Sequence, residues 1–273
     1  MSQAPITLPQ AAIAPTSRRG LSRAEAPEAE SRGWVHSHET TSTVDGPGFR
    51  YTVWLAGCHL RCQYCHNPDT WAVSNGRHQS AEQIIEDARR FAAFLSATKG
   101  GFTVSGGEPL VQAPFALHLL RRAKADLGLH TALDTNGYLG DCLSDDQLAE
   151  IDLVLLDLKA FDDAQHRRVT GRGNEAILGF ASRLAELGRP VWVRFVLVPG
   201  LTDVAADIDA LGAFVASMKN VQRLEVLPFH QMGRSKWTQM GETYSLERTP
   251  PATPEQVAKA VARFRAAGCA VAR

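Results

Sequence analysis

The sequence lacks any uninterrupted apolar run of about 18 residues, so no membrane-spanning helix is expected. It also lacks an excess of either charge: 29 Lys and Arg face 29 Asp and Glu. That balance argues against a basic surface field of the kind that holds nucleic acid and leaves room only for a local patch. The N-terminus has no basic segment followed by a compact apolar one, which argues against a secretory signal. Residues 1–32 contain no aromatic residue and are rich in Ala, Pro, Ser and Glu. They cannot bury enough apolar surface to offset ordering entropy, and they read as a disordered extension without activity of its own. Cysteine is scarce and odd in number, five in all, with three of them inside eight residues. A disulfide framework is therefore not expected, and metal or redox chemistry in a reducing cytoplasm is. A chain of 273 residues permits one large domain that buries roughly 75% of its unfolded surface without covalent staples.

From Gly33 onward, apolar β-rich runs alternate with helical periodicity. Strands are expected over 50–56, 101–105, 129–134, 152–157, 190–198 and 223–227. Helices are expected over 81–96, 113–126, 145–150, 175–187, 204–217 and 254–267. Ser80 with Gln83, Ser144 with Gln147 and Thr253 with Gln256 fit capping boxes, and Pro254 suits a first helical position. Gly128, Gly188 and Gly268 suit left-handed C-terminal caps. Strands separated by helices predict an α/β fold with a parallel sheet and right-handed crossovers. The pattern alone does not choose between an open sheet and a barrel; in both, chemistry belongs at the C-terminal strand ends.

The strongest chemical signal is Cys58-x3-Cys62-x2-Cys65, placed directly after the first expected strand. Three clustered thiolates can hold three irons of a cubane and leave the fourth iron open to a small molecule. A zinc site completed by His59, His66 or a distant residue is the alternative, and three buried thiols without metal are another. The other two cysteines, Cys142 and Cys269, lie outside any metal spacing and read as structural.

Further motifs accompany the cysteines: Thr43-Val44-Asp45-Gly46-Pro47-Gly48-Phe49-Arg50, Cys65-His66-Asn67-Pro68-Asp69-Thr70-Trp71 and Ser105-Gly106-Gly107-Glu108-Pro109. Asp134-Thr135-Asn136-Gly137, Asp157-Leu158-Lys159, Val198-Pro199-Gly200 and Pro228-Phe229-His230 each follow a later expected strand. Together with Tyr64 just before the last Cys, the set resembles the radical S-adenosylmethionine (SAM) superfamily. Within it, the set resembles the glycyl-radical enzyme activases of the single-cluster, pyruvate formate-lyase type. The resemblance spans residues 33 to 273. Some activases carry an inserted segment with two more Cys-rich cluster motifs; here only a short stretch separates Cys65 from Ser80, and no spare Cys cluster exists.

The resemblance implies a partial (β/α)6 barrel of parallel strands with outer helices. It implies one 4Fe-4S cluster on Cys58, Cys62 and Cys65, whose open iron chelates SAM. The cluster's electron cleaves SAM to a 5′-deoxyadenosyl radical, which takes a hydrogen from a glycine Cα of a glycyl radical enzyme, with pyruvate formate-lyase as the expected partner. Tyr64, Cys65, His66, Gly106, Gly107, Glu108, Asp157, Leu158, Lys159 and His230 are the implied cofactor contacts, with Glu108 accepting from the methionine ammonium. Asp45 and Arg194 are the implied substrate contacts. Asp134, Thr135, the Leu155 carbonyl and Asp157 are the implied ligands of a monovalent cation, K+ or Na+. With one cluster motif and no flavin fingerprint, the electron is expected from a reduced flavodoxin or ferredoxin, and a cytoplasmic monomer is expected.

Taken singly, several of these residues have plainer readings. Gly106-Gly107 suits an ordinary turn, Lys159 a surface lysine and His230 a structural histidine. The Asp45-Gly46-Pro47-Gly48 segment suits a chain reversal, and Asp157 could pair with Lys159 or Arg194. Competing functions are a small-molecule radical SAM enzyme, an activase for a different glycyl radical enzyme, and a zinc-stabilised binding module. The colour of anaerobically purified protein separates iron–sulfur from zinc.

Overall fold

The computed structural model describes residues 31–272. The expected disordered extension therefore lies outside the described residues, except for its last two positions. Eight strands form one sheet among the described residues. They are β1 (Arg32–Ser42), β2 (Arg50–Leu55), β3 (Arg77–Ser80), β4 (Gly101–Gly106), β5 (His130–Thr135), β6 (Leu153–Asp157), β7 (Val191–Leu197) and β8 (Val221–Pro228). The order is β3-β1-β2-β4-β5-β6-β7-β8. Strands β2 and β4 to β8 are mutually parallel and match the six expected strands. The sheet does not close, so the parallel part is a partial barrel.

Besides short 3-10 turns, the described residues include the α-helices α1 (Ala81–Arg89), α2 (Ala92–Ala97), α3 (Ala113–Leu127), α4 (Asp145–Ala149), α5 (Asp163–Thr170), α6 (Glu175–Glu186), α7 (Ala205–Ser217), α8 (Arg234–Gln239) and α9 (Pro254–Ala266). All three capping boxes form, at the starts of α1, α4 and α9. Gly128 closes α3 in the left-handed conformation. The expected single helix over 81–96 is broken, because Arg90 and Phe91 fall back on i−3 carbonyls, Asp87 and Ala88, at 3.3 and 3.0 Å. The break turns Phe91 onto the Tyr51 ring at 6.2 Å.

Because side chains alternate along a strand, each parallel strand presents two different faces. The outer set is apolar: Tyr51, Val53, Phe102, Val104, Leu133, Val154, Leu156, Val193 and Phe195 pack with Phe115, Phe180 and Phe264 from the helices. The other set runs from Arg50, Thr103, Ser105 and Asp134 to Asp157 and Arg194 and faces the barrel interior, where these side chains bond one another. Its lower layer, Ala132, Leu153, Leu155 and Trp192, is apolar.

Four elements were not expected. Antiparallel β1 pairs with β2 and with β3, adding an edge to the sheet and starting one residue inside the expected extension. Helices α5 and α8 lie beside the cysteine loop and are described with it.

Candidate active site

The segment from Gly57 to Trp71 leaves β2 and crosses the mouth of the barrel without regular strand or long helix. Its shape is imposed by ties to other parts of the chain. Its two ends meet: Gly57 N–H donates to the Thr70 carbonyl at 2.7 Å and Cys58 N–H to that of Trp71 at 3.0 Å. On one flank, Arg61 and Gln63 N–H groups donate to Thr170 and Val169 at the end of α5, at 2.8 and 3.0 Å. On the other flank, α8 supplies the indole N–H of Trp237 to the Cys65 carbonyl at 2.8 Å. Lys236 bonds Asn67 Oδ1 at 2.8 Å and pairs with Asp69 at 3.0 Å. Beneath the loop, Leu60, Tyr64, Val169, Val198, Leu201, Phe229, Trp237 and Tyr244 form a second apolar core.

Cys58, Cys62 and Cys65 are all free thiols. Burial, reinforced by the neighbouring sulfurs, pushes Cys58 and Cys65 up to about 12. Burial also raises Cys62, against the nearby Lys159. Three thiolates here need cations to join them. The donor set fits an iron–sulfur cluster, in which each thiolate takes its own iron. His59 Nδ1 is buried without a hydrogen-bond partner, and His66 Nε2 donates to the His230 carbonyl at 3.2 Å. Asn136 Nδ2 points at Cys58 Sγ from 3.8 Å.

The strand ends bring the other expected residues to the same mouth. Gly106 has φ of +145°, and a Cβ there would lie 2.1 Å from the Leu55 carbonyl oxygen. At Gly107 a Cβ would lie 3.0 Å from that of Cys58. These glycines let the β4 end pass directly under the cysteine loop. Tyr64 is buried, and its hydroxyl has no hydrogen-bond partner. The His66 and His230 rings lie 4.3 Å apart, tilted by 37°. Leu158 is buried and donates its N–H to the Arg194 carbonyl at 3.0 Å.

Glu108 is buried at the end of β4. Its carboxylate accepts from Leu110 N, Thr135 Oγ1 and Asn136 N at 3.0, 2.8 and 2.8 Å. It pins the β5 end and, through Asn136, the approach to Cys58, with Oε1 accepting two of these bonds and Oε2 one. Burial pushes it up to about 7 against those three donors.

Asp134 and Asp157 do share one face, as expected of parallel strands, but a guanidinium stands between them. Arg194 Nη2 bonds Asp134 Oδ1, and its Nε donates to Asp157 Oδ1 at 3.1 Å. Ser105 donates to Asp134 Oδ2 at 2.6 Å, and Lys159 donates to Asp157 Oδ2 at 3.1 Å. Burial opposes the Arg194 charge, yet the two carboxylates hold its pKa above the ordinary value. The plainer reading of Asp157, as partner of Lys159 and Arg194, is therefore what the geometry contains. The expected cation ligands are otherwise engaged: Thr135 Oγ1 donates to Glu108 and accepts from Gly137 N at 3.0 Å. Leu155 is the register partner of Asp134.

Asp45 is buried, with Ser42 Oγ donating to its Oδ2 at 2.6 Å. Its carbonyl accepts from Thr103 Oγ1 at 2.8 Å, and Thr103 in turn accepts from Arg50 Nε at 2.9 Å. Arg50 is fully buried below this turn. Cys142 is exposed, and Cys269 packs on the main core.

Asn136, Trp237, Lys236 and Asp69 are site residues that the sequence did not single out, although Asn136 and Asp69 lie within its motifs. Asn136 stands between two residues with stronger individual signals. Trp237 and Lys236 act through a short helix with no apolar period to reveal it.

Comparison with known proteins gives a consistent picture. The family model of the Radical SAM superfamily matches residues 52–211. The chain is 47% identical over 238 residues to the pyruvate formate-lyase-activating enzyme of Streptococcus mutans, covering 84% of this chain and 89% of that one. It is 42% identical over 239 residues to the enzyme of the same name from Staphylococcus epidermidis, covering 84% and 94%. Among solved structures, a domain of pyruvate-formate lyase-activating enzyme from Bacteroides vulgatus superposes with a TM-score of 0.52 at 25% identity, covering 63% of this chain and 98% of that one. A radical SAM methyltransferase from Sphaerobacter thermophilus shares the fold, with a TM-score of 0.61 at 18% identity over 84% of this chain and 70% of that one.

Proposed function

The chain belongs to the radical SAM superfamily and, within it, to the pyruvate formate-lyase-activating enzymes, and from that premise we propose that it installs a glycyl radical on pyruvate formate-lyase. The observation that carries this reading is the loop of three free, closely spaced thiols laid across the C-terminal mouth of the parallel strands. When bound, the 4Fe-4S cluster and SAM supply the 5′-deoxyadenosyl radical that removes a glycine Cα hydrogen.

The protein's own part is binding, orientation and shielding. Cys58, Cys62 and Cys65 hold the cluster, and the Asn136 amide steadies Cys58 Sγ. Gly106 and Gly107 admit the cofactor close to the backbone, with Tyr64, Cys65, His66, Asp157, Leu158, Lys159 and His230 around it. Glu108 fixes Thr135 and Asn136, and its Oε2, which among the described residues accepts only from Asn136 N, is the acceptor for the methionine ammonium. Asp45 and Arg194 face the glycine-bearing loop, and the second apolar core keeps water away from the loop's underside. A potassium or sodium ion on Asp134, Thr135, the Leu155 carbonyl and Asp157 belongs to this proposal. It requires Arg194 to release at least one carboxylate when the site fills.

The catalytic domain is assigned to residues 33–273, in a cytoplasmic monomer. Among the described residues no helix is long and apolar enough to cross a membrane. The electron comes from outside, from a reduced flavodoxin or ferredoxin. The test is iron quantification after anaerobic reconstitution of single Cys→Ala variants. Cys58, Cys62 and Cys65 variants should lose the cluster and all activation of the partner. Full iron and full activity in Cys62→Ala would remove the basis of the assignment.

A further inference from the structure

The chain carries no net charge, yet its cations are unevenly placed around the cysteine loop. Arg61 lies between Cys58 and Cys62, and its exposed side chain is held rigidly. Nη1 donates to the Cys58 and Leu60 carbonyls at 2.7 and 2.9 Å, and Cζ lies 4.8 Å from the Trp71 ring centroid. The neighbouring end of α5 is fixed to the same stretch of loop. Besides the two backbone bonds described above, Gln63 Nε2 donates to the Arg168 carbonyl at 2.6 Å. The turn that follows is fixed as well, because the Arg172 carbonyl accepts from Thr170 Oγ1 and His166 Nδ1 at 3.1 and 2.7 Å.

Arg61, Arg168 and Arg172 are all exposed. The acids nearest in sequence are engaged: Asp163 pairs with Arg167 at 2.6 Å, and Asp162 caps α5 through Gln165 N at 2.8 Å. Among the described residues, none of the three arginines pairs with a carboxylate, whereas Arg167 beside them does. Three uncompensated cations around one rigid junction attract an acidic surface and orient it during encounter.

We propose that Arg61, Arg168 and Arg172 form the docking surface for an acidic one-electron carrier protein. The inference rests on the reading that the reducing electron comes from outside. The surface suits that role by position. Arg61 separates two of the proposed cluster ligands, so a carrier seated here approaches the cluster from the α5 flank. The carrier gives up one electron and the cluster accepts one, so nothing else is consumed.

The test uses the reconstituted holoenzyme and a flavodoxin of strongly negative net charge. Affinity of the oxidised carrier is measured by titration calorimetry for wild type and for Arg168→Glu/Arg172→Glu, at low and high salt. The variant should bind at least about tenfold more weakly at low salt, a loss of about 1.4 kcal/mol, and the gap should shrink as salt screens the charges. Activation driven by a chemical reductant, and affinity for the glycyl radical enzyme, should match wild type. An Arg168→Gln/Arg172→Gln variant with wild-type thermal unfolding should fall between the two and controls for folding. Equal carrier affinity in all three proteins at low salt would overturn the proposal. A loss of affinity for the glycyl radical enzyme instead would overturn it in favour of a substrate surface. Turnover by wild type with NADPH alone, without carrier or chemical reductant, would overturn the external-electron reading itself, whatever the calorimetry gives.

Discussion

The two faces of the parallel strands are built from alternate residues of the same short segments, and they solve opposite problems. On the outer face, Phe195 packs edge-on against Phe264 at 5.3 Å within a large apolar core. Many neighbours share that work, and non-directional burial tolerates repacking. On the inner face, Arg194 sits one residue earlier and bonds Asp134 and Asp157, which no other cation among the described residues holds together. Buried charges there stand or fall by particular partners. The outer face makes the fold stable, while the inner face makes it specific, and the step between them is one residue of register.

That contrast can be broken first at Arg194. Arg194→Met leaves two carboxylates facing each other, and it should cost about 3–5 kcal/mol of stability. It should also remove radical installation in the molecules that remain folded. Denaturant unfolding and radical yield measure the two effects. Full stability with full yield would mean the inner face is as forgiving as the outer. Phe195→Ala should cost a similar or smaller amount, about 3–5 kcal/mol, but with the opposite functional signature. Iron per folded molecule and radical yield per iron should match wild type. A selective loss of iron would show that the faces are not separable.

A smaller effect is expected at the loop that joins the faces to the chemistry. Trp237→Phe keeps an aromatic ring against Trp71 but removes the N–H held by the Cys65 carbonyl. Iron retention against a chelator should fall about tenfold, the order found for groups that orient metal ligands. Melting temperature should change little, and unchanged retention would make α8 a bystander. The smallest effect is expected far from both faces. Ser144→Ala removes one capping-box acceptor from α4 and should cost about 1 kcal/mol, read by thermal unfolding with no change in iron or activity.

The outer face was legible in the sequence because apolar strands and capping boxes announce themselves locally. The inner face was legible only in part. Asp134, Asp157 and Arg194 stand out in apolar runs, but the guanidinium between the carboxylates follows from the pairing of Asp157 with Arg194 across two strands. No local pattern encodes that register. Thr103 and Ser105 are small enough to pass within a buried run, and Arg50 reads as the start of a strand, so the relay under Asp45 was invisible. The antiparallel edge was missed because β3 is Arg-His-Gln-Ser and β1 is largely exposed. Helices α5 and α8 are short and polar, and their positions are fixed by the loop they brace.

Radical transfer itself is the most direct test of the account. Reconstituted protein, reduced anaerobically with SAM, is mixed with pyruvate formate-lyase prepared with natural or Cα-deuterated glycine, and electron paramagnetic resonance is recorded. A glycine-centred doublet that collapses on deuteration, and that is absent with Cys62→Ala, is the predicted result. Formation of 5′-deoxyadenosine only with a small-molecule co-substrate, and no signal on the protein partner, would contradict it.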